Sequence, residues 1–139
     1  MIDFFRDKYD FLSNFFPCEI NYNGLFYHST EATFQAQKTL DLRVRAKFVS
    51  LSASESKRFG REVELRPDWE DTKLKVMEDL IRIKFSNSIL KERLLMTGDE
   101  ELVEGNYWKD YYWGVCNGRG LNHLGIILMK IREEIRNER

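Results

Sequence analysis

The chain has 139 residues, 42% of them hydrophobic and 14% aromatic, enough for one domain with a real core. Charged residues make up 32% yet nearly cancel to a net charge of -1, which excludes the global basic field that holds long duplex nucleic acid and points to a small ligand. Two cysteines, Cys18 and Cys116, far apart and without CxxC or Cys/His spacing, exclude a zinc site and a disulfide framework.

The N-terminal segment MIDFFRDKYDFLSNFF mixes charges into each short apolar run and does not read as a signal peptide. No stretch approaches the roughly 20 apolar residues of a membrane span, so a cytosolic protein that binds no membrane is expected. From Cys18 to His28, CEINYNGLFYH alternates apolar and polar residues about Asn23-Gly24, the dipeptide of a type I′ turn, and predicts a β-hairpin. Ser29 or Thr30 then caps a helix running to about Leu40, followed by an amphipathic LRVRAKFVSL and a short helix in SESKRFG ending near Gly60.

Pro67 suits the first turn of a long helix from about Asp68 to Phe85, with Trp69, Val76, Leu80 and Ile83 spaced to face a core. Another helix covers Ile89 to Met96 and closes at Gly98. YWKDYYWGVCNGRGLN has no period and reads as a structured loop, and a terminal helix starts at about Leu121. With no linker or repeat, the expectation is a single compact α+β domain over residues 1–139, mainly α-helical, with a small antiparallel hairpin near the N-terminus.

Glu31 and Lys38 are seven residues apart, so on one helix they fall about 20° apart in azimuth and about 10 Å apart along the axis. Side chains lean toward the helix N-terminus, which tilts Lys38 over Gln35 toward Glu31 and gives an acid, an amide and an amine one shared groove. The plainer reading is a dipole-complementing Glu31 and a solvated Lys38. In the loop, Asp110 precedes Trp113 by three residues, with glycines at 114, 118, 120 and 125: aromatic faces beside a carboxylate suit a flat heterocycle, although Trp108, Tyr111 and Trp113 could equally cover the core. Trp69 reads first as a core anchor. His28 and His123 stand at no metal or triad spacing and no GxSxG elbow occurs, so neither a metal site nor a serine hydrolase is expected.

Four segments in order, FLSNFFP at 11–17, STEATFQAQK at 29–38, RPDWE at 66–70 and DYYWGVCNGRGLNHLGIILMKIREE at 110–134, resemble the NADAR family over essentially the whole chain. The resemblance implies an N-glycosidase that hydrolyses the bond between ribose and an exocyclic amino nitrogen. The implied substrates are phosphorylated ribosylamino-pyrimidine intermediates of riboflavin synthesis or ADP-ribosylated guanine, the latter free or in nucleic acid. By position it implies catalytic roles for Glu31, Lys38 and Asp110, and substrate contacts from Asn14, Phe15, Gln35, Trp69, Trp113, Gly114 and Asn122, with no cofactor or metal. Ala32, Thr33 and Val115 depart from the commoner family pattern, which bears on substrate choice more than on reaction type. A non-catalytic module binding ADP-ribose or NAD would keep Trp69 and Trp113 without needing Glu31; a helical adaptor would leave Glu31, Gln35 and Lys38 unexplained.

Overall fold

In the computed structural model, which describes all residues 1–139, Asn23 and Gly24 both take positive φ, 51° and 87°. This is the type I′ geometry whose twist matches that of paired strands. It joins strand β1 (Pro17–Tyr22) to β2 (Leu25–Ser29), with Tyr22 opposite Leu25 and Ile20 opposite Tyr27, and a bulge between Pro17 and Ile20. Ile20 and Tyr27 are buried on one face, and this pair of strands is the whole sheet.

The chain divides into two compact units, one of Asn14–Lys84 and one of Met1–Ser13 with Phe85–Arg139. In the first, the hairpin runs directly into α1 (Thr30–Ala36), whose N-cap Ser29 accepts a hydrogen bond from the Ala32 N–H at 3.0 Å. All seven residues of α1 are buried, the polar Glu31, Thr33 and Gln35 included. A helix apolar on one side only would not be surrounded in this way. Tyr27, Ala32, Ala36 and Phe48 form a core against which Val44, Phe59 and Val63 pack.

α1 stops at Ala36, four residues short of the expected end. Beyond it the Lys38 carbonyl accepts from the Arg66 N–H at 2.7 Å and the Thr39 carbonyl from Arg45 Nε at 2.8 Å. The helix itself closes with tighter i→i−3 bonds, the Gln37 N–H to the Phe34 carbonyl at 3.1 Å and the Lys38 N–H to the Gln35 carbonyl at 3.2 Å, and the carbonyls beyond it go to tertiary donors. Asp41 then caps α2 (Leu42–Lys47), accepting from the N–H groups of Arg43 and Val44, and a 3₁₀ turn follows at Phe48–Ser50. Ser52 and Glu55 make a complete capping box at the start of α3 (Ala53–Gly60).

The long helix α4 spans Trp69–Lys84, and Trp69, Val76 and Leu80 are buried as their spacing predicts. Ile83 is only half-buried, and Lys84 takes the inward position instead, 2% exposed, with its Nζ 5.6 Å from the centre of the Phe16 ring. An inward ammonium over an aromatic face is a cation–π arrangement that an apolar-spacing rule cannot anticipate.

In the other unit, a 3₁₀ turn at Asp7–Leu12, absent from the sequence reading, buries Phe11 and Leu12. Ile2 bridges to Leu102. Asn87 caps α5 (Ser88–Leu95), and Gly98 follows with φ 63°. The terminal helix α6 spans His123–Asn137 and buries Leu124, Ile127, Leu128, Ile131 and Ile135 along one stripe. Residues 104–122 hold no helix or strand, only isolated bridges such as Gly105–Val115 and Cys116–Arg119, so the expected structured loop is observed.

Candidate functional site

Glu31 lies in the first turn of α1, 8% exposed, and its Oε1 accepts a hydrogen bond from Gln35 Nε2 at 2.9 Å. The two are four residues apart and so on one helix face. The Glu31 N–H donates to the carbonyl of Asn14 at 3.0 Å, which sets the loop before β1 against the start of α1. Asn14 is itself buried, and its Nδ2 lies 3.6 Å from the sulfur of Met77. Two buried amide oxygens, Asn14 Oδ1 and Gln35 Oε1, have no hydrogen-bond partner. Orphaned buried acceptors cost about 1–3 kcal/mol each, a cost that concentrates at functional sites.

Lys38 lies beyond the end of α1, so the shared-face geometry that a longer helix would have given it does not apply. Its charge still interacts with that of Glu31. Burial holds its ammonium below the ordinary lysine value of 10.5; Glu31 opposes that shift, while Arg61 and Lys73 reinforce it. An amine less basic than usual beside a buried carboxylate is a combination suited to proton transfer and to nucleophilic attack. Trp69 is buried, with its ring centre 5.0 Å from that of Phe34, so most of its surface serves the core of this unit. Phe15 is 40% exposed, with Lys57 Nζ 5.7 Å from its ring centre.

The second set of expected site residues belongs to the other unit. Asp110 Oδ1 accepts from the N–H groups of Tyr112 at 3.1 Å and Trp113 at 2.9 Å, a local turn that fixes the aromatic pair. Asn106, which the sequence reading passed over, ties down Asp110 from behind: its Oδ1 accepts from the Asp110 N–H, and its Nδ2 donates to the Asp110 carbonyl, both at 3.0 Å. An Asn four residues before an Asp in a loop follows no period, so nothing in the pattern marked it. Trp113 is half-buried, edge-on to Tyr112 at 4.8 Å between ring centres, and His123 sits 4.6 Å from Tyr112.

Gly114 and Asn122, expected as substrate contacts, have demanding local tasks. A Cβ on Gly114 would fall 2.1 Å from the Glu104 carbonyl oxygen, so only glycine lets those backbones approach. Asn122 takes the left-handed conformation, φ 55°, and both ends of its amide are bound to backbone: Oδ1 accepts from the Glu104 N–H at 2.9 Å and Nδ2 donates to the Leu102 carbonyl at 3.0 Å. An amide engaged at both ends is poorly placed to meet a ligand, and its first role is to hold the loop to the start of α6. No group of three or more His, Cys, Asp or Glu side chains is arranged to hold a metal ion, and no helix is long and apolar enough to cross a membrane.

A family model, the NADAR domain, matches residues 3–136. The chain is 39% identical to the N-glycosidase Npun_R5314 of Nostoc punctiforme, covering 93% of this chain and 87% of that protein. It is 41% identical to the riboflavin biosynthesis protein VVA0006 of Vibrio vulnificus over 93% of its own length, but spans only 36% of that longer protein. The NMR structure of YbiA from Escherichia coli superposes with a TM-score of 0.85 at 36% identity, over 99% of this chain and 88% of that one. YbiA of strain K12 carries the name N-glycosidase.

Proposed function

The chain belongs to the NADAR family, and from that premise we propose that it is a hydrolase, an N-glycosidase cleaving the bond between a ribose carbon and an exocyclic amino nitrogen, with residues 1–139 as its domain. The observation that carries the reading is the buried Glu31, held by Gln35, beside a lysine of lowered basicity. A module that merely binds ADP-ribose needs neither a buried acid nor a softened amine.

The chemistry follows from the substrate class. A ribosylamine can open its ring, leaving C1 as an imine to the departing base. Neutral Lys38 Nζ adds to C1, the base leaves as its free amine with a proton delivered by an acid, and a Schiff base joins Lys38 to the sugar. Water then adds to C1 and expels Lys38, so the sum is one water consumed, one ribose sugar and one amine released. Glu31 is the group that gives and takes the protons. Asn14 binds the sugar or ring, Gln35 orients Glu31, and Trp69 walls the site. In the other unit, Asp110 orients the Tyr112–Trp113 pair through its turn.

The preferred substrate is a phosphorylated ribosylamino-pyrimidine, since a relative at 41% identity is named for riboflavin biosynthesis. ADP-ribosylated guanine, free or in nucleic acid, shares the exocyclic linkage and is the second substrate to try. Incubating the protein with each compound separately and following release of the free base by chromatography tests the reading. Release from the pyrimidine substrate, lost in Glu31→Gln, is the expected result; binding of both without release by the wild type would leave a binding module in its place.

A further inference from the structure

Gly60 is the last residue of α3, buried and in ordinary right-handed helical backbone. In that conformation Ala is favoured over Gly by about 1 kcal/mol, so the backbone gives no reason for glycine here. Space does. A Cβ at position 60 would lie 1.9 Å from Gln35 Oε1, 2.7 Å from Gln35 Cδ and 3.2 Å from Gln35 Cβ. The amide lying in that space is the one whose other end donates to Glu31.

We propose that Gly60 is a positioning residue for Glu31: its bare Cα lets the Gln35 amide lie flat on α3, with Nε2 turned to the carboxylate. The inference rests on the N-glycosidase reading and on Glu31 as its acid and base. The oxygen end of the amide has no hydrogen-bond partner, so no bond at that end fixes the side chain. Contact with the α3 backbone on one side and the Glu31 bond on the other define its rotamer. A methyl group at position 60 forces the amide away. Turning it over instead would bring Oε1 to the Glu31 carboxylate, two acceptors face to face, which is repulsive. Either way Glu31 loses the Gln35 donor and the orientation which that bond gives it.

The test is a cycle of Gly60→Ala, Gln35→Ala and the double variant, with kcat and KM measured on the substrate the wild type turns over. Gly60→Ala lowers kcat about 10- to 100-fold, as misplacement of a reacting group by about an ångström does, with little change in KM. In the Gln35→Ala background the same substitution costs nothing more, because no side chain remains to displace, and the double variant has room to fold. Wild-type kcat in Gly60→Ala, or the same loss repeated on top of Gln35→Ala, overturns the proposal. A second readout does not depend on turnover: by NMR the Gln35 side-chain amide protons, protected by Glu31 in the wild type, exchange rapidly in Gly60→Ala. Unchanged protection overturns the positioning role even if the N-glycosidase reading holds, and lost protection in a protein that releases neither base supports the positioning while that reading fails.

Discussion

Gln35 Nε2 sits 2.9 Å from Glu31 Oε1, one helical turn downstream, so the acid of α1 is held by an amide of the same helix. The bond needs only an acceptor oxygen at position 31. Glu31→Gln keeps that oxygen and keeps the volume of the side chain, but it removes the exchangeable carboxyl proton. The melting temperature should stay near that of the wild type while kcat falls more than about 100-fold, the usual contribution of a positioned acid or base. Turnover close to normal in that variant would remove Glu31 from the chemistry.

Asp110 offers a cleaner separation than Glu31, because its Oδ1 is engaged by the N–H groups of Tyr112 and Trp113. Asp110→Asn preserves an oxygen there and should melt close to the wild type. Asp110→Ala removes it and should lose about 1–2 kcal/mol, as loss of a side-chain cap to two N–H groups does. If Asp110 acts by orienting Trp113, KM rises in the Ala variant and recovers in the Asn variant. A kcat loss of equal size in both would make its charge, rather than its hydrogen bonds, the functional property.

Asn122 belongs with the loop's construction. Asn122→Ala strands the Glu104 N–H and the Leu102 carbonyl and leaves alanine in a left-handed backbone, so a loss of about 2–4 kcal/mol is expected in chemical denaturation. Gly in the same position relieves the backbone strain but not the two lost bonds. Equal stability of Asn122→Gly and wild type would show that the amide contacts contribute nothing.

The features that could be read in the sequence are those decided locally. Asn23-Gly24 dictates its turn because both residues must enter positive φ, and few other dipeptides do so at low cost. The stripe of α6 is a similarly short-range signal. The end of α1 is not legible, since the chain beyond it is held by donors distant in sequence, Arg45 to the Thr39 carbonyl and Arg66 to the Lys38 carbonyl. Helical spacing therefore does not relate Glu31 to Lys38, which lies past the end of α1; burial near Glu31 does. Lys84 departs from the apolar spacing for a related reason: its inward position faces the Phe16 ring, distant in sequence.

Lys38 carries the most discriminating prediction. Burial lowers its basicity against the pull of Glu31, so the folded protein binds fewer protons at this site than the unfolded chain between the depressed value and 10.5. Stability should rise with pH through that window, and below it the buried ammonium is a net cost. The kinetic consequence has the same direction, because the neutral amine is the nucleophile: kcat should climb with pH on the alkaline side and level off below 10.5. Sodium borohydride added during turnover should reduce the Schiff base and fix the sugar on the protein, with the added mass located at Lys38 by peptide mass spectrometry. Lys38→Arg keeps a positive charge able to meet a phosphate but has no amine that can form an imine, so it should give neither adduct nor turnover. Activity surviving in Lys38→Arg, with no adduct trapped from the wild type, would reject the covalent route and leave Glu31 to act through water.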